Sequence, residues 1–153
     1  MLIAGLVVSG ATALPIVSEI RGAEQVLGPD MTGGGAIPAW IAAWLVQLRD
    51  GIIATSQVAP FMFYGTDWLA FGHFVIAGAF IGALREPVRN RWLYQFGMGA
   101  CLAVPVWAAL LGPVRGIPWW WRIIDASFGV LGFIPAWLCH RWASELERTR
   151  RSF

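Results

Sequence analysis

Four long apolar stretches, separated by polar or glycine-rich segments, dominate the pattern of the chain. Each is close to the roughly 17 to 25 residues that a helix needs to cross the hydrocarbon of a bilayer. The pattern therefore predicts an all-α fold, an integral membrane bundle of four transmembrane helices in a single domain over 1–153. The predicted spans cover residues 2–20, 68–84, 92–112 and 123–139, and a polar tail follows over 141–153.

The first apolar stretch also has one feature of a signal peptide. Ala11, Thr12 and Ala13 resemble a small-residue cleavage site. A signal peptide opens with positive charge, however, and no lysine or arginine precedes this run. A transmembrane helix is therefore the preferred interpretation.

The segment that joins the first two apolar stretches, residues 21–66, does not have their continuous apolar pattern. Its glycine-rich turn, GPDMTGGGAIP, ends at Pro38, a residue suited to the first turn of a helix. The helix that follows, over about 38–56, is interrupted by Arg49 and Asp50 after about a dozen apolar residues, too few to span. We expect an interfacial helix that lies flat on the membrane, with a fifth or re-entrant span as the alternative.

Composition supports a membrane protein and narrows its partners. Hydrophobic residues make up 58% of the chain and charged residues only 13%, with a mean hydropathy of +0.62, whereas soluble domains have about 25% charged residues. A net charge of +2 gives no basic surface for nucleic acid. Cys101 and Cys139 lack the spacing of a zinc site, so neither a metal nor a disulfide framework is predicted.

Arginine placement predicts the orientation in the membrane. The loop 85–91 holds three arginines and the tail 141–153 holds four, so seven of the eleven basic residues lie on one side. The positive-inside rule then places both termini and this loop in the cytoplasm, with 21–66 and 113–122 outside. Tryptophans fall at both predicted interfaces: Trp68, Trp119, Trp120 and Trp121 outside, Trp92, Trp137 and Trp142 inside.

Ionisable side chains near the hydrocarbon are costly, so each one is a candidate for function. One interpretation is an outward-facing pocket in which His73 or a carboxylate is a general base and an arginine holds an anionic group such as phosphate. The alternative is structural: the arginines neutralise the carboxylates at helix ends, where Asp67 and Asp125 occupy first turns. The candidate polar site on the outer side comprises Glu19, Asp67, His73, Arg115, Arg122 and Asp125.

Small residues mark two candidate packing grooves. Gly78 and Gly82 form a small-xxx-small pattern that lets helices approach closely, and Gly129 and Gly132 follow Asp125 on one stripe. Another helix is the expected occupant of such a groove, and a lipid tail or small ligand is the alternative.

No cofactor is predicted. A haem or chlorin held by His73 alone is the alternative, since His140 falls at the opposite membrane face.

Two blocks of the sequence carry a resemblance to known proteins. YGTDWLAFGHFVIAGAFIGALREPVRN and GPVRGIPWWWRIIDASFGVLGFIPAWLCHRW resemble a group of small bacterial membrane proteins, which implies four helices and transfers no activity. A weaker similarity is to the VanZ-like family, through an Asp and a His that open one helix and an Arg, an Asp and a glycine that open a later one. Those positions are Asp67, His73, Arg122, Asp125 and Gly129, although their spacing departs from the family pattern.

These patterns, with the resemblance, favour a non-catalytic integral protein of the bacterial inner membrane, either an accessory subunit or a self-associating helix bundle. Its expected partners are the lipid bilayer and other membrane subunits or a second copy of itself. A membrane-embedded enzyme or binding protein for a lipid or lipid-linked anion at the outer leaflet is the second hypothesis. The third is a small transporter or channel, in which Glu19 and Asp125 would be the coupling groups.

Overall fold

The computed structural model describes residues 2–151, so Met1 and the last two residues of the predicted tail lie outside the described part. Between Leu2 and Arg151 the regular elements are all helices, with no strand, as expected for an all-α fold. Six α-helices and a 3-10 turn at Pro60–Phe63 follow one another: α1 (Leu2–Ala13), α2 (Ile16–Leu27), α3 (Ala39–Val58), α4 (Tyr64–Arg85), α5 (Arg91–Val114) and α6 (Trp119–Arg151).

Three segments are long and apolar enough to cross a membrane. They are Pro60–Arg85, Arg91–Val114 and Trp119–Arg150. A fourth crossing exists only if α1 and α2 form one broken span, because these two helices are bent by 84° at their junction. The described residues therefore fit a membrane protein with three spans, or four if the bent pair is one span.

The single helix predicted over 2–20 is wrong. The chain breaks at Leu14 and Pro15, and α2 then runs on to Leu27, well past the predicted end. Pro15 has no N–H to donate, and its ring clashes with the carbonyl four residues earlier, so an unbroken helix through this point is strongly disfavoured. α2 ends where Gly28 adopts a φ of +84° ahead of Pro29, a combination that stops a helix.

The contacts of the chain group into two compact units. The N-terminal unit comprises Leu6–Val75, and the C-terminal unit comprises Met1–Gly5 with Ile76–Phe153. Each unit has its own packing.

The core of the N-terminal unit lies between α2 and α3. Ile20, Met31 and Ala42 are buried there, and Met31, which comes from the connecting loop, is fully enclosed. Met31 has a φ of +55°, a left-handed conformation that costs a non-glycine residue about 1–2 kcal/mol. Burial of its side chain offsets that cost, so the loop is closed by a side chain that faces inward.

Arg49 ties this loop to both helices. Its guanidinium bonds to Glu24 of α2 at 3.0 Å, to the adjacent Asp50 at 2.8 Å and to the carbonyl oxygen of Pro29 in the loop. The Arg49 side chain is only 13% exposed. The polar residues that interrupt α3 in the sequence therefore form a cross-link inside the unit.

A second polar contact orders the same loop. Asp30 accepts hydrogen bonds from the hydroxyl of Thr32 at 2.9 Å and from its backbone N–H at 3.2 Å. These donors favour the charged carboxylate, and they hold the pKa of Asp30 below its ordinary value, with the hydroxyl contributing most.

In the C-terminal unit, α5 and α6 form an antiparallel hairpin. A Cβ at Gly129 of α6 would overlap the carbonyl oxygen of Cys101 in α5. That carbonyl lacks its usual helical donor because Pro105, four residues on, has no N–H. At the open end of the hairpin, Arg91 pairs with Glu147 at 2.7 Å.

The last part of α4 packs on the start of α5. The hydroxyl of Tyr94 donates to the carbonyl oxygen of Ala83 at 2.8 Å, and the Phe80 ring lies against Gly97. Ala77, Phe80, Ala83 and Tyr94 are all buried. This face of α4 is therefore covered within the C-terminal unit.

Candidate functional site

The six residues of the predicted polar site divide between the two units. Glu19, Asp67 and His73 belong to the N-terminal unit, whereas Arg115, Arg122 and Asp125 belong to the C-terminal unit.

Within the N-terminal unit, Glu19 and Asp67 are exposed in first turns, Glu19 in α2 and Asp67 in α4. A carboxylate at this position favours the helix dipole. Asp67 lies beside an aromatic cluster in which Trp68 meets Tyr64 and Phe71 edge to face, with ring centroids 6.0 and 5.6 Å apart.

His73 is held by its own helix. Its Nδ1 lies 2.7 Å from the carbonyl oxygen of Leu69, so this nitrogen carries the proton and donates it, which leaves Nε2 as the acceptor. Helix α1 crosses α4 at this point through Gly10. A Cβ added to Gly10 would lie 3.0 Å from the carbonyl oxygen of Ala70 and 3.2 Å from Cβ of His73.

The alternative cofactor prediction, a haem or chlorin, concerns this same histidine. Among residues 2–151, no group of three or more His, Cys, Asp and Glu side chains is placed to hold a metal ion. A haem or chlorin on His73 would use the remaining nitrogen, Nε2, and it stays a prediction.

In the C-terminal unit, a tight turn joins α5 to α6 and positions both arginines. Gly116 has a φ of +69°, and its N–H bonds to the carbonyl of Pro113, while the N–H of Ile117 bonds to the carbonyl of Gly112 at 2.9 Å. This pattern is a Schellman motif, which closes a helix with its last carbonyls satisfied. Arg115 is the exposed C-cap of α5.

Arg122 lies across Gly112. A Cβ added to Gly112 would overlap Arg122 Cδ and come within 2.7 Å of Cγ, so only glycine leaves room for this side chain. The Nε of Arg122 is buried and has no hydrogen-bond acceptor in the part of the chain that the structure describes. A buried donor without an acceptor is costly, and more so when it carries charge.

The expected neutralisation of Asp125 does not form. The ion pairs found between residues 2 and 151 join other side chains, so neither Arg115 nor Arg122 pairs with Asp125. Asp125 is also not in a first turn, because α6 begins at Trp119, four residues before the predicted start. A favourable contact with the helix N-terminus is therefore excluded for Asp125.

The two predicted glycine grooves differ in their surroundings. Gly129 and Gly132 lie against Cys101 of α5, so a neighbouring helix of the same chain fills that groove. A Cβ at Gly78 or Gly82 would meet no heavy atom within 4 Å in the described part of the chain. The glycine face of α4 is therefore uncovered.

Sequence reasoning missed Gly112 and the cross-link between Glu24 and Arg49. The apolar positions Ile16, Ile20 and Leu27 continue at helical spacing beyond the predicted end of the first helix, and this signal could have revealed α2. Nothing local marks Gly112, because its role depends on a residue ten positions later.

Comparisons with protein-family models, with curated proteins and with solved structures find no match for this chain.

Proposed function

We propose that this chain is a non-catalytic integral protein of the bacterial inner membrane that self-associates through α4. Its termini would lie in the cytoplasm, with the bent α1 and α2 pair as a fourth crossing. The observation that carries this proposal is the uncovered glycine face of α4.

Several glycines on helix faces are covered by a neighbouring helix. Gly10, Gly97 and Gly129 each lie within about 3 Å of a neighbouring helix once a Cβ is added. Other helix glycines are open, but among the described residues only Gly78 and Gly82 are both open and four residues apart, the spacing that places two glycines on one face of a helix. A helix uses paired glycines to bring backbones close, and here the second backbone is not supplied by the described chain.

The geometry of α4 supports a contact on this side. Gly78 and Gly82 each lie about 160° around the helix from Phe80, which is buried against α5. The glycine face is therefore opposite the covered face. Small-xxx-small pairs favour symmetric helix contacts in membranes, and two-fold dimers are the commonest closed assemblies, so a second copy of α4 is the proposed partner.

The test is the oligomeric state of the purified chain in lipid nanodiscs or mild detergent. We expect a dimer, and we expect Gly78→Ile with Gly82→Ile to weaken association by about tenfold, or about 1.4 kcal/mol. The double variant Gly65→Ile with Gly72→Ile is the matched control. Those glycines also lie on α4 with open space around them, roughly 100° away from the proposed contact.

A wild-type chain that is monomeric at all concentrations would overturn self-association. Equal weakening by the control pair would also overturn it, since bulk anywhere on α4 would then have the same effect. Circular dichroism of each variant shows whether the helices have formed before association is compared.

A further inference from the structure

The C-terminal unit contains a surface groove between α5 and α6 that neither the helix packing nor the proposed dimer contact uses. Its volume is about 320 Å³, at the lower end of the range for small-molecule sites of about 300–1,000 Å³. Alanines keep it open, and its walls are apolar except for one arginine. The residues that define it are Pro105, Ala108 and Ala109 on α5 and Arg122, Ile123 and Ala126 on α6.

Arg122 is the charged residue in the lining of this groove. Its stem is pressed onto Gly112, where Nε is enclosed, so the terminal guanidinium nitrogens are the ones left for a ligand in the groove. Within residues 2–151 Arg122 forms no ion pair. Asp125 lies one turn further along the helix and does not pair with it. A guanidinium beside apolar walls attracts an anion strongly, because the low dielectric weakens screening.

The groove therefore requires a ligand with two different parts. An anionic oxygen would satisfy the arginine, and a hydrocarbon chain would cover Ala108, Ala126 and their neighbours. A free phosphate ion would leave the apolar walls bare, and an apolar partner helix would leave the arginine unpaired. A phospholipid carries both parts in one molecule, and the bilayer supplies it.

We infer that this groove binds one anionic phospholipid, with its phosphate on Arg122 and one acyl chain along α5 and α6. Trp119 stands at the mouth of the groove, where an indole ring suits the region of the lipid headgroups. The inference does not depend on the α4 contact, since every residue of the groove lies in one hairpin.

The experiment is native mass spectrometry of the full chain, purified in mild detergent and titrated with phosphatidylglycerol or phosphatidylcholine of identical acyl chains. We expect one retained phosphatidylglycerol per chain, bound about fivefold more tightly than phosphatidylcholine. Arg122→Gln should abolish that preference. Arg89→Gln is the charge-matched control, because Arg89 is 82% exposed in the α4–α5 loop and should leave the preference unchanged.

A second variant tests the apolar half of the site and preserves the arginine. Ala126→Leu fills the groove, so it should reduce retention of both lipids while the protein keeps all its charges. Inorganic phosphate at millimolar concentration should not compete with the lipid. Counting lipids per chain keeps this test separate from the oligomeric state.

Three outcomes would overturn the inference. One is undiminished lipid preference in Arg122→Gln, and another is an equal loss in Arg89→Gln, which would indicate general charge attraction. The third is displacement of the lipid by inorganic phosphate, which would make the site one for the free anion. If Arg122→Gln does not fold, Ala126→Leu decides, and unchanged retention in that variant would refute the site.

Discussion

At the scale of residues, Gly129 and Pro105 act together on one carbonyl. Pro105 removes the helical donor of the Cys101 oxygen, and Gly129 lets the backbone of α6 approach that oxygen closely. A Cα–H group in such contact supplies a weak hydrogen bond, worth about half of a normal one in an apolar setting. The proline of one helix and the glycine of the other therefore act at the same carbonyl.

Substitution of Gly129 tests this device. We expect Gly129→Ala to destabilise the α5–α6 hairpin by about 1–3 kcal/mol, because the new methyl overlaps a backbone oxygen that cannot rotate away. The measurement is the free energy of unfolding in mixed micelles. Gly99→Ala, which has open space around its Cβ position, is the control and should be nearly neutral.

Gly132→Ala gives an intermediate comparison. Its methyl would meet only the Cys101 Sγ at 2.9 Å, and this sulfur can move by side-chain rotation, so a smaller loss is expected. If the variants at Gly129 and Gly99 were equally stable, the close approach of the two backbones would be refuted.

At the scale of elements, the hairpin of α2 and α3 is held by one arginine. We predict that Arg49→Gln speeds amide hydrogen exchange in the loop by roughly tenfold, since Glu24 and the Pro29 carbonyl lose a charged donor worth about 1.5–3 kcal/mol. The amides to follow are those of Met31 and Gly33, which bond within the loop.

The control for Arg49 is Arg89→Gln, whose ion pair with Glu86 is exposed and therefore contributes little. Loop exchange that is unchanged in Arg49→Gln would show that burial of Met31 alone closes the loop. That outcome would refute the role given to the guanidinium.

Elements with clear apolar runs were predicted to within a few residues, and those with backbone interruptions were not. α5 was predicted well because charged and glycine residues bound its run. Hydropathy does not register the lost N–H of Pro15, so the break after α1 was missed. α6 begins early because the tryptophans assigned to the interface also form its first turn.

The sequence named candidate residues for a polar site, but it did not predict how their side chains are placed. Charge in an apolar context pointed to Arg122 and Asp125, but the expected pair between them depends on side-chain paths that no local pattern encodes. The Arg122 side chain instead packs on Gly112, and the Arg49 side chain bonds to Glu24, which lies 25 positions earlier in the sequence. Contacts of this range are fixed by tertiary packing.

At the scale of the whole molecule, α6 is longer than a bilayer crossing requires, so it should extend beyond the membrane on one side. With 33 residues it is about 50 Å long, whereas the hydrocarbon core is about 30 Å thick. Its end is rich in arginine and continues as helix to Arg151, so a helical extension should project from the side that holds the loop between α4 and α5.

Cysteine labelling tests the orientation. In a chain with Cys101 and Cys139 replaced by Ser, an impermeant maleimide applied to intact spheroplasts should label Val114→Cys and leave Arg89→Cys unlabelled. Inverted vesicles should give the opposite result. Labelling of Arg89→Cys from outside would reverse the proposed topology.

An N-terminal tag then distinguishes three crossings from four. Protection of the tag in spheroplasts is expected if α1 and α2 together cross the bilayer. A protease-accessible tag would show that the bent pair does not cross.

The short turn between α5 and α6 has a consequence for how the protein is made. Only four residues, Arg115 to Pro118, separate the two helices, so we expect them to insert into a bilayer together as one hairpin. The carbonyls at the end of α5 are already bonded within the turn and need no further donors during insertion. In the proposed topology, the costly part of this step is the transfer of Arg115 and Arg122 across the hydrocarbon.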